Sequence, residues 1–411
     1  MILEEAIRVL REAAVPVMER ERIPLAQASG RVLAEDLQAF YDQPPFPRSP
    51  LDGYAVRGED TLSASGKNPV ELKILGKIYA GQAFHGEIHS GECVRLMTGA
   101  PIPQGANAVI RQEDTDYEPG KTGDYTGPDS RVKIFRGADP YQNYVYEGED
   151  YRKGDTLLRA GTVLTGMHMG IAAGAGREEL DVYREPVITV ISTGDEVVAP
   201  GGNLAPGKIY DSNRFTVVGR LADLGLCRVE SWHCPDDPTA MAGQIRKAGK
   251  KSDLIITTGG VSVGEKDIMH QVMADLEGKK LFWKVSLKPG APTLAFVLGE
   301  EKVPVICLTG NPYGVAVNFE LLVRPVLEKI SHNPKVRGKT CIGKLKNDSP
   351  KWGGVRRFMR GYYEEEGSEV TILAGSQASG TLSSMAECNC LVEISENSRG
   401  KAGEDVKIYL L

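Results

Sequence analysis

Three apolar runs, each ending in a polar loop that contains glycine, constrain the fold of this 411-residue chain more than any other feature. With their loops they read VITVISTGDE (187–196), DLIITTGGVSVGEKD (253–267) and VPVICLTGNPYG (303–314). Segments with helical spacing lie between them, such as RFTVVGRLADLG (214–225) and TAMAGQIRKAGK (239–250). Apolar strands that alternate with amphipathic helices are typical of a parallel sheet with crossover helices. The pattern therefore predicts a doubly wound α/β domain.

The rest of the chain has a different pattern of apolar and polar residues, and this pattern changes near residues 52, 142, 187 and 334. Short alternating runs between glycine-rich turns predict an all-β domain before residue 142, and the polar stretch 114–130 predicts a surface hairpin within it. Short strands return after Pro334 and predict a small C-terminal β domain. At the start, residues 1–14 have helical spacing, which predicts one apolar face made by Ile2, Ala6, Val9, Leu10 and Ala13.

Charge and cysteine content exclude several classes of protein. A formal net charge of -6 argues against a general nucleic-acid binder. The seven cysteines are odd in number and form no CxxC pair, which favours reduced thiols in a cytoplasmic protein. The acidic, amphipathic start does not resemble a signal peptide, and no apolar run reaches the ~18 residues that a membrane span needs.

The three glycine loops are the predicted binding site. Ligands of an open parallel sheet bind beyond the carboxyl ends of its strands, where glycine lets the backbone approach and helix N-termini attract anions. The loops contain Gly194, Gly259, Gly260 and Ser262. None matches a P-loop or a dinucleotide fingerprint. A tight strand-to-helix turn remains the plainer interpretation of any one loop taken alone.

Acidic and basic residues near these loops predict a phosphate and metal site. Acids follow three of the predicted strands, namely Asp195, Glu196, Asp236, Asp237, Glu265 and Asp267. Carboxylates beside a phosphate suit Mg²⁺, whereas a single acid at such a place is as readily a helix N-cap. Lys284 and Lys288 are four residues apart, so in a strand they would share a face that suits an oxyanion. The plainer alternative is a solvated strand edge, against which the proline-glycine turn after Lys288 favours a shaped loop.

The motifs together resemble the molybdopterin molybdenumtransferase family, which comprises the MoeA proteins and the gephyrin E domain. The similarity covers essentially the whole chain. It rests on motifs in a fixed order: RSPLDGYAVR (48–57), RLMTGAPIPQGANAVIRQED (95–114), GEDYRKGD (148–155), ISTGDEVV (191–198), GKIYDSNRF (207–215), TTGGVSVGEKD (257–267), FWKVSLKPG (282–290), TGNPYGVAVNFELLVRP (309–325) and SGTLSSMAECNCL (379–391).

The resemblance implies a multidomain α/β plus β fold of four parts. These are an elongated domain from residues 1–48 and 143–180, an inserted β domain (49–142), an α/β molybdopterin-binding domain (181–332) and a C-terminal domain resembling a β-barrel (333–411). It also implies a homodimer whose active cleft lies between the α/β domain of one subunit and the inserted domain of the other, and contacts with other cofactor-biosynthesis or acceptor proteins.

The resemblance further implies an activity and a set of site residues. The family inserts molybdenum from molybdate into adenylylated molybdopterin, hydrolyses the adenylate and releases AMP, with Mg²⁺ assisting. The residues implied as catalytic are Asp52, Asp150, Glu196, Asp267, Lys284 and Lys288, with Glu196 and Asp267 as metal ligands. Those implied to bind substrate are Thr98, Gly194, Asp236, Gly259, Gly260, Ser262, Pro312, Arg360 and Ser379.

Three departures from the family pattern leave the exact activity open. The family commonly has basic residues before GED, where this chain reads NYVYEGED (143–150). It also commonly has PGKP after Lys288 and PGNP in the third loop, where this chain has Ala291 and Thr309. The missing charges leave room for a paralogue that uses tungstate. A molybdopterin adenylyltransferase, or a dimeric scaffold without catalysis, is also compatible with the motifs.

Overall fold

The protein is described by a computed structural model over residues 1–261, 268–299, 302–351, 353–375 and 377–411. The chain divides into two compact units. The first unit comprises Met1–Glu35, Ala160–Met169 and Glu178–Leu411, and the second comprises Asp36–Arg159 and Gly170–Arg177. The four domain boundaries implied by the resemblance stay predictions.

The elements up to residue 183 are mostly short strands. They are α1 (Leu3–Ala13), β1 (Arg20–Pro24), β2 (Leu37–Gln38), β3 (Gly53–Val56), β4 (Val70–Ile78), β5 (Glu92–Leu96), β6 (Ala108–Arg111), β7 (Arg131–Ile134), β8 (Thr156–Leu158), α2 (Gly166–Gly174) and β9 (Glu179–Tyr183). The predicted N-terminal helix is present, but its buried face is made by Leu3, Ala6 and Leu10. Ile2 precedes the helix and is exposed, so the predicted face was misplaced by one residue at its start.

The second unit is built on a five-stranded sheet with the order β6-β3-β5-β4-β7. Stretch 114–130 is not a hairpin, because the strands before and after it, β6 and β7, lie at opposite edges of this sheet. Central strands hold it in place: Tyr54 donates to the Gly123 carbonyl at 2.5 Å, and the buried Arg95 pairs with Asp124 and stacks on Tyr117 at 3.8 Å. The stretch is therefore an anchored crossing loop.

The next region is the predicted α/β domain. Its elements are β10 (Val187–Thr193), β11 (Val197–Val198), β12 (Ile209–Tyr210), α3 (Ser212–Leu224), β13 (Arg228–Cys234), α4 (Pro238–Gly249), β14 (Leu254–Thr258), α5 (Met269–Asp275), β15 (Lys279–Trp283), β16 (Leu294–Val297), β17 (Pro304–Leu308), α6 (Pro312–Asn318), a π-helical segment (Phe319–Val323) and α7 (Arg324–Ile330). Six strands form one sheet in the order β13-β10-β14-β17-β16-β15.

The topology of this sheet confirms the doubly wound prediction and sets the place of the site. Strands β13, β10, β14 and β17 are parallel, while β16 and β15 are antiparallel additions. Buried side chains of α3, α6 and α7 pack on one face of the sheet, and those of α4 and α5 pack on the other. Because β10, β14 and β17 are neighbours, their three glycine loops emerge side by side.

The chain ends in a closed five-stranded barrel, as the resemblance implied. Its strands are β18 (Thr340–Leu345), β19 (Arg357–Glu364), β20 (Glu369–Ile372), β21 (Cys390–Ile394) and β22 (Asp405–Leu410), in the order β18-β20-β19-β21-β22. Short 3₁₀ turns complete the secondary structure at Leu25–Gln27, Gly58–Thr61, Gln112–Asp114, Pro334–Val336 and Ser383–Met385. All seven cysteines are free thiols. Over the described ranges, the helices are too short or too polar to cross a membrane.

Candidate functional site

The three glycine loops enclose a cleft of about 460 Å³ at the carboxyl edge of the sheet. Six of the residues singled out in the sequence line it together, namely Gly194, Glu196, Asp236, Gly259, Gly260 and Pro312. Glu196 is exposed on the loop after β10, and Pro312 begins α6. The structure thus brings residues of four separate loops to one cleft wall, as expected for the switch region of an open α/β sheet.

Asp236 joins two of these loops. Its carboxylate accepts a hydrogen bond from the Thr193 hydroxyl at 2.7 Å and another from the Asp195 backbone N–H at 3.1 Å. In return the Asp195 carboxylate accepts from the Asp236 backbone N–H at 3.3 Å. Asp236 is therefore held in a fixed orientation in the cleft. The neighbouring Asp237 instead caps α4 by accepting from the Ala240 N–H at 2.6 Å, which is the capping role that the sequence left open.

Close backbone approach explains one of the glycines. Gly259 has φ +91°, and a Cβ added there would lie 2.5 Å from the Thr193 carbonyl oxygen, closer than real contacts allow. Only glycine lets the ends of β10 and β14 meet in this way.

Replacing Gly259 with alanine is expected to destabilise the loop by about 1–3 kcal/mol, because both the positive φ and the clash oppose a side chain. Thermal unfolding of the Gly259→Ala protein measures the effect. The matched control is Gly219→Ala within α3, where a Cβ meets nothing within 4 Å and alanine favours the helix. Equal thermal midpoints for the two variants would contradict the close approach.

Asp211 also lines the cleft, although the sequence did not single it out by itself. It is buried and caps α3, and its carboxylate accepts from the Ser192 hydroxyl at 2.6 Å and from Arg214 Nε at 2.9 Å. Its place in the YDSN stretch, directly before an amphipathic helix, is the signal that could have identified it.

A second cavity of about 300 Å³ lies beside the cleft, and we call it the cation pocket. Its described lining residues include three cations, Lys288, Lys351 and Arg357, and no aspartate or glutamate. Ser379, predicted from the sequence, also lines it. Pro292, Thr309 and Asn311 line both cavities, so the cation pocket and the cleft adjoin. Such a set of residues suits an oxyanion.

The sequence did not predict Lys351 or Arg357 as pocket residues. The Nε atom of Arg357 is buried and has no hydrogen-bond partner among the described residues. The pocket also contains Ala291, at one of the positions where the family's charge is missing. Lys351 and Arg357 therefore bring positive charge to the pocket where position 291 brings none.

The loop that carries Lys288 is shaped from below by Asn318. This buried amide donates to the Gly290 carbonyl at 2.9 Å and to the Thr293 hydroxyl at 2.7 Å. Lys284 and Lys288 do not share a strand face, because β15 ends at Trp283 and Lys284 has φ 64°. Only Lys288 is among the described residues lining the pocket, whereas the Lys284 ammonium lies 5.5 Å from the Trp283 ring.

Arg360 lies behind the pocket wall. It is fully buried, stacks on the Tyr313 ring at 3.5 Å, and donates to the carbonyl of Ala378 at 3.1 Å and to that of Thr381. Burial lowers the pKa of this guanidinium. Because these two carbonyls flank Ser379, Arg360 holds the loop that brings Ser379 to the pocket.

The remaining predicted residues lie in the second unit. Asp52 accepts two hydrogen bonds from Thr98, from its backbone N–H and from its hydroxyl, both at 2.7 Å. Asp150 is exposed, and its backbone N–H donates to the Gln43 carbonyl at 2.9 Å. The two hydrogen bonds from Thr98 lower the pKa of Asp52. Asp52 is therefore an anion at neutral pH and not a proton donor.

Replacing Thr98 with valine is expected to raise the pKa of Asp52 towards its ordinary value, since one of the two donors is removed. The stabilisation that comes from ionised Asp52 is present above its unfolded-state pKa and is lost as the pH falls through its lower folded-state pKa. Carboxyl NMR titration of Asp52 measures the change. Serine at position 98 keeps the hydroxyl and should leave the titration near that of the unsubstituted protein.

Three residues singled out in the second glycine loop, Ser262, Glu265 and Asp267, lie outside the described residues. Across the part of the chain that is described, no group of three or more His, Cys, Asp or Glu side chains is arranged to hold a metal ion. The cleft does contain the carboxylates of Glu196 and Asp236, which the sequence predicted, as well as that of Asp211. Two carboxylates fit the usual mode of Mg²⁺, which takes one or two of them and completes its shell with substrate phosphate and water.

Comparison with known families covers nearly the whole chain. Residues 1–176 match the MoeA N-terminal region (domain I and II), residues 189–329 match a probable molybdopterin binding domain, and residues 343–411 match the MoeA C-terminal region (domain IV). A molybdopterin molybdenumtransferase of Haemophilus influenzae is 35% identical over 95% of this chain and 93% of its own length. The chain belongs to the MoeA family.

Other MoeA relatives agree in sequence and in fold. The molybdopterin molybdenumtransferase of Bacillus subtilis is 34% identical over 96% of this chain and 90% of its own length. The crystal structure of a molybdopterin biosynthesis MoeA protein from Pyrococcus horikoshii OT3 superposes with a TM-score of 0.80 at 31% identity, covering 100% of both chains. The MoeA fold is therefore shared along the full chain.

Proposed function

We propose that this MoeA protein is a molybdopterin molybdenumtransferase of molybdenum cofactor biosynthesis. It inserts molybdenum from molybdate into adenylylated molybdopterin, hydrolyses the adenylate and releases AMP. One observation carries the proposal: a pocket lined by three cations and no described acid adjoins a cleft lined by three carboxylates, and the two cavities share Pro292, Thr309 and Asn311. A small oxyanion and a larger phosphorylated ligand can thus lie next to each other.

The cation pocket is the proposed molybdate site. Lys288, Lys351 and Arg357 neutralise the dianion, and Asn311, Gln377 and Ser379 supply polar contacts around it. A pocket of about 300 Å³ has room for a tetrahedral oxyanion and water. Lys284, which has the motif position of a second binder, is proposed to act on phosphate at the substrate's edge.

The cleft is the proposed site of the adenylylated pterin. Gly194, Gly259 and Gly260 let the backbone approach the ligand, and Pro312 shapes the third loop at the start of α6. Glu196 and Asp236 face the cleft as carboxylates, with Asp267 proposed beside them from its motif position. These carboxylates would hold Mg²⁺, which when bound polarises the phosphoryl oxygen.

A homodimer in the cytoplasm completes the proposal. Helix α2 supports the dimer, because it is almost entirely apolar and yet buries only Ala172, while Met167 is 82% exposed. An exposed apolar helix of this kind is unusual for a monomer's surface. In the proposed dimer, Asp52, Thr98 and Asp150 face the cleft of the partner subunit and add carboxylates to it. Contacts with acceptor proteins of the cofactor follow from the same role.

The test supplies the purified protein with adenylylated molybdopterin, Mg²⁺, and either molybdate or tungstate. AMP release together with metal incorporation from molybdate is the expected result. Preference for tungstate would identify the tungstate-using paralogue. Release of pyrophosphate from ATP and molybdopterin would identify an adenylyltransferase instead. If the protein bound the pterin but released no AMP in any of these mixtures, the result would identify a scaffold without catalysis.

A further inference from the structure

We propose that three tyrosines of the second unit, Tyr141, Tyr144 and Tyr146, form a stacking platform for a planar nitrogen heterocycle. This inference rests on the proposed function, whose substrate carries two such rings, adenine and the pterin. The three rings contact one another with centroids 5.0–5.8 Å apart. Tyr141 and Tyr146 are 55% and 49% exposed, and their planes differ by only 25°, so two nearly parallel aromatic rings are accessible to solvent.

The backbone under the cluster is held in a costly conformation. Tyr141 has φ 67° and Asn143 has φ 54°, values that residues other than glycine rarely adopt. Strand β6 and its start fix this shape: the Tyr141 N–H donates to the Asn107 carbonyl at 2.6 Å, and the Asn143 amide donates to the Val109 carbonyl at 2.9 Å. Strained backbone that is held this firmly is more common at ligand sites than elsewhere. Its effect here is to gather three tyrosines from a six-residue stretch.

Two isolated β-bridges connect the tyrosine segment with residues already assigned to the proposed site. Val145, between two of the tyrosines, pairs with Arg48 as an isolated bridge, and Arg48 pairs in turn with Pro101. Pro101 follows the Thr98 turn that binds Asp52. Arg48 is exposed and has no acidic partner within the described residues, and its backbone adjoins that of the tyrosine segment at Val145.

Three acids lie close to the tyrosines in sequence, Glu147, Glu149 and Asp150. Glu149 is engaged locally, because its carboxylate accepts from the Tyr146 N–H at 2.8 Å. Glu147 and Asp150 are exposed and follow the last tyrosine in sequence. Aromatic stacking tolerates such neighbours because it depends on contact between flat surfaces rather than on net charge. The tyrosines occupy the segment where the family commonly has basic residues, so ring stacking takes over binding that charge supplies elsewhere.

Calorimetric titration of the full-length protein tests the platform with three probes. AMP carries adenine, 6-hydroxymethylpterin carries the pterin ring alone, and ribose 5-phosphate carries phosphate without a ring. Tyr146→Ala is expected to weaken binding of AMP, of the pterin, or of both by about tenfold, and to leave ribose 5-phosphate unchanged. Tyr146→Phe keeps the ring and should bind normally. The matched control is Tyr125→Ala, a tyrosine of the same unit that is 39% exposed.

Comparison of the titrations with AMP and with 6-hydroxymethylpterin identifies which ring binds to the platform. Unchanged affinity of Tyr146→Ala for both rings would overturn the proposal. So would a Tyr146→Ala protein whose mass in solution changes while its ligand affinities do not, since the cluster would then be a protein contact. These readings need no turnover. A Tyr146→Ala protein that still inserts metal and binds both rings normally would remove the platform and leave the proposed function intact.

Discussion

Alanine at Lys288 is expected to lower kcat/KM for molybdate insertion by about 10²-fold or more. Lys288 is one of three cations around a pocket without a described acid, so its loss removes a substantial part of the charge that would hold the oxyanion. Fixed groups of this kind typically contribute on the order of 10²–10³ in rate when a single one is removed. The measurement is AMP release as a function of molybdate concentration, with adenylylated molybdopterin held constant.

Controls separate the charge of Lys288 from the shape of its loop. Lys344→Ala removes an exposed lysine of β18 in the barrel and should leave kcat/KM unchanged. Lys288→Arg keeps the charge and should recover part of the activity. Because the Lys288 side chain is exposed, the alanine variant should melt like the unsubstituted protein. Full activity of Lys288→Ala would remove the cation pocket from the reaction.

Alanine at Glu320 is expected to lower the free energy of unfolding by about 3–5 kcal/mol, the usual cost of leaving a buried charge without its partner. Glu320 lies in the π-helical segment and is buried. Its carboxylate accepts from Arg220 Nη2 at 2.7 Å and from the buried Arg324 Nη1 at 2.7 Å. Arg324 also donates to the Val336 carbonyl at 2.7 Å, so the loss would reach the connection to the barrel.

Thermal unfolding measures this effect, and a fall of roughly 5–10 °C in the midpoint is expected. Glu366→Ala removes an exposed glutamate of the barrel and serves as the control. Glu320→Gln keeps the shape of the side chain and one acceptor oxygen while removing the charge. Its thermal midpoint should therefore fall between those of Glu320→Ala and Glu366→Ala. A Glu320→Ala protein that melts with the control would show that the network contributes nothing to stability.

The α/β domain could be predicted because its signals are local. An apolar run, a glycine loop and an amphipathic helix specify each crossover by themselves, and three runs of one kind place their loops on one edge. The cleft residues Gly194, Glu196, Asp236, Gly259, Gly260 and Pro312 meet for that reason. Asp237 shows the limit of this reasoning, because an acid after a strand can serve the helix that follows it.

Contacts distant in sequence could not be predicted. Lys351 and Arg357 come to the cation pocket from the C-terminal region, and no spacing rule connects them with Lys288. Stretch 114–130 crosses the sheet because β6 and β7 lie at opposite edges. The alternation of apolar and polar residues in a strand does not specify which strands are neighbours. Arg360 is a cation in a family motif, which predicts contact with a substrate. In the structure its side chain is buried and donates to the carbonyls of Ala378 and Thr381, so it supports the loop that carries Ser379.

The position of α1 has a consequence for how the chain is made. Leu3, Ala6 and Leu10 belong to the same buried cluster as residues of α7, and Arg11 pairs with Glu328 at 2.7 Å, 317 residues further along the chain. At ordinary rates of translation the ribosome needs roughly 15–60 s to cover that distance. During that time the apolar face of the nascent helix lacks its contacts with α7, although the second unit has already been synthesised. Chaperones that bind exposed apolar helices have their main opportunity in this interval.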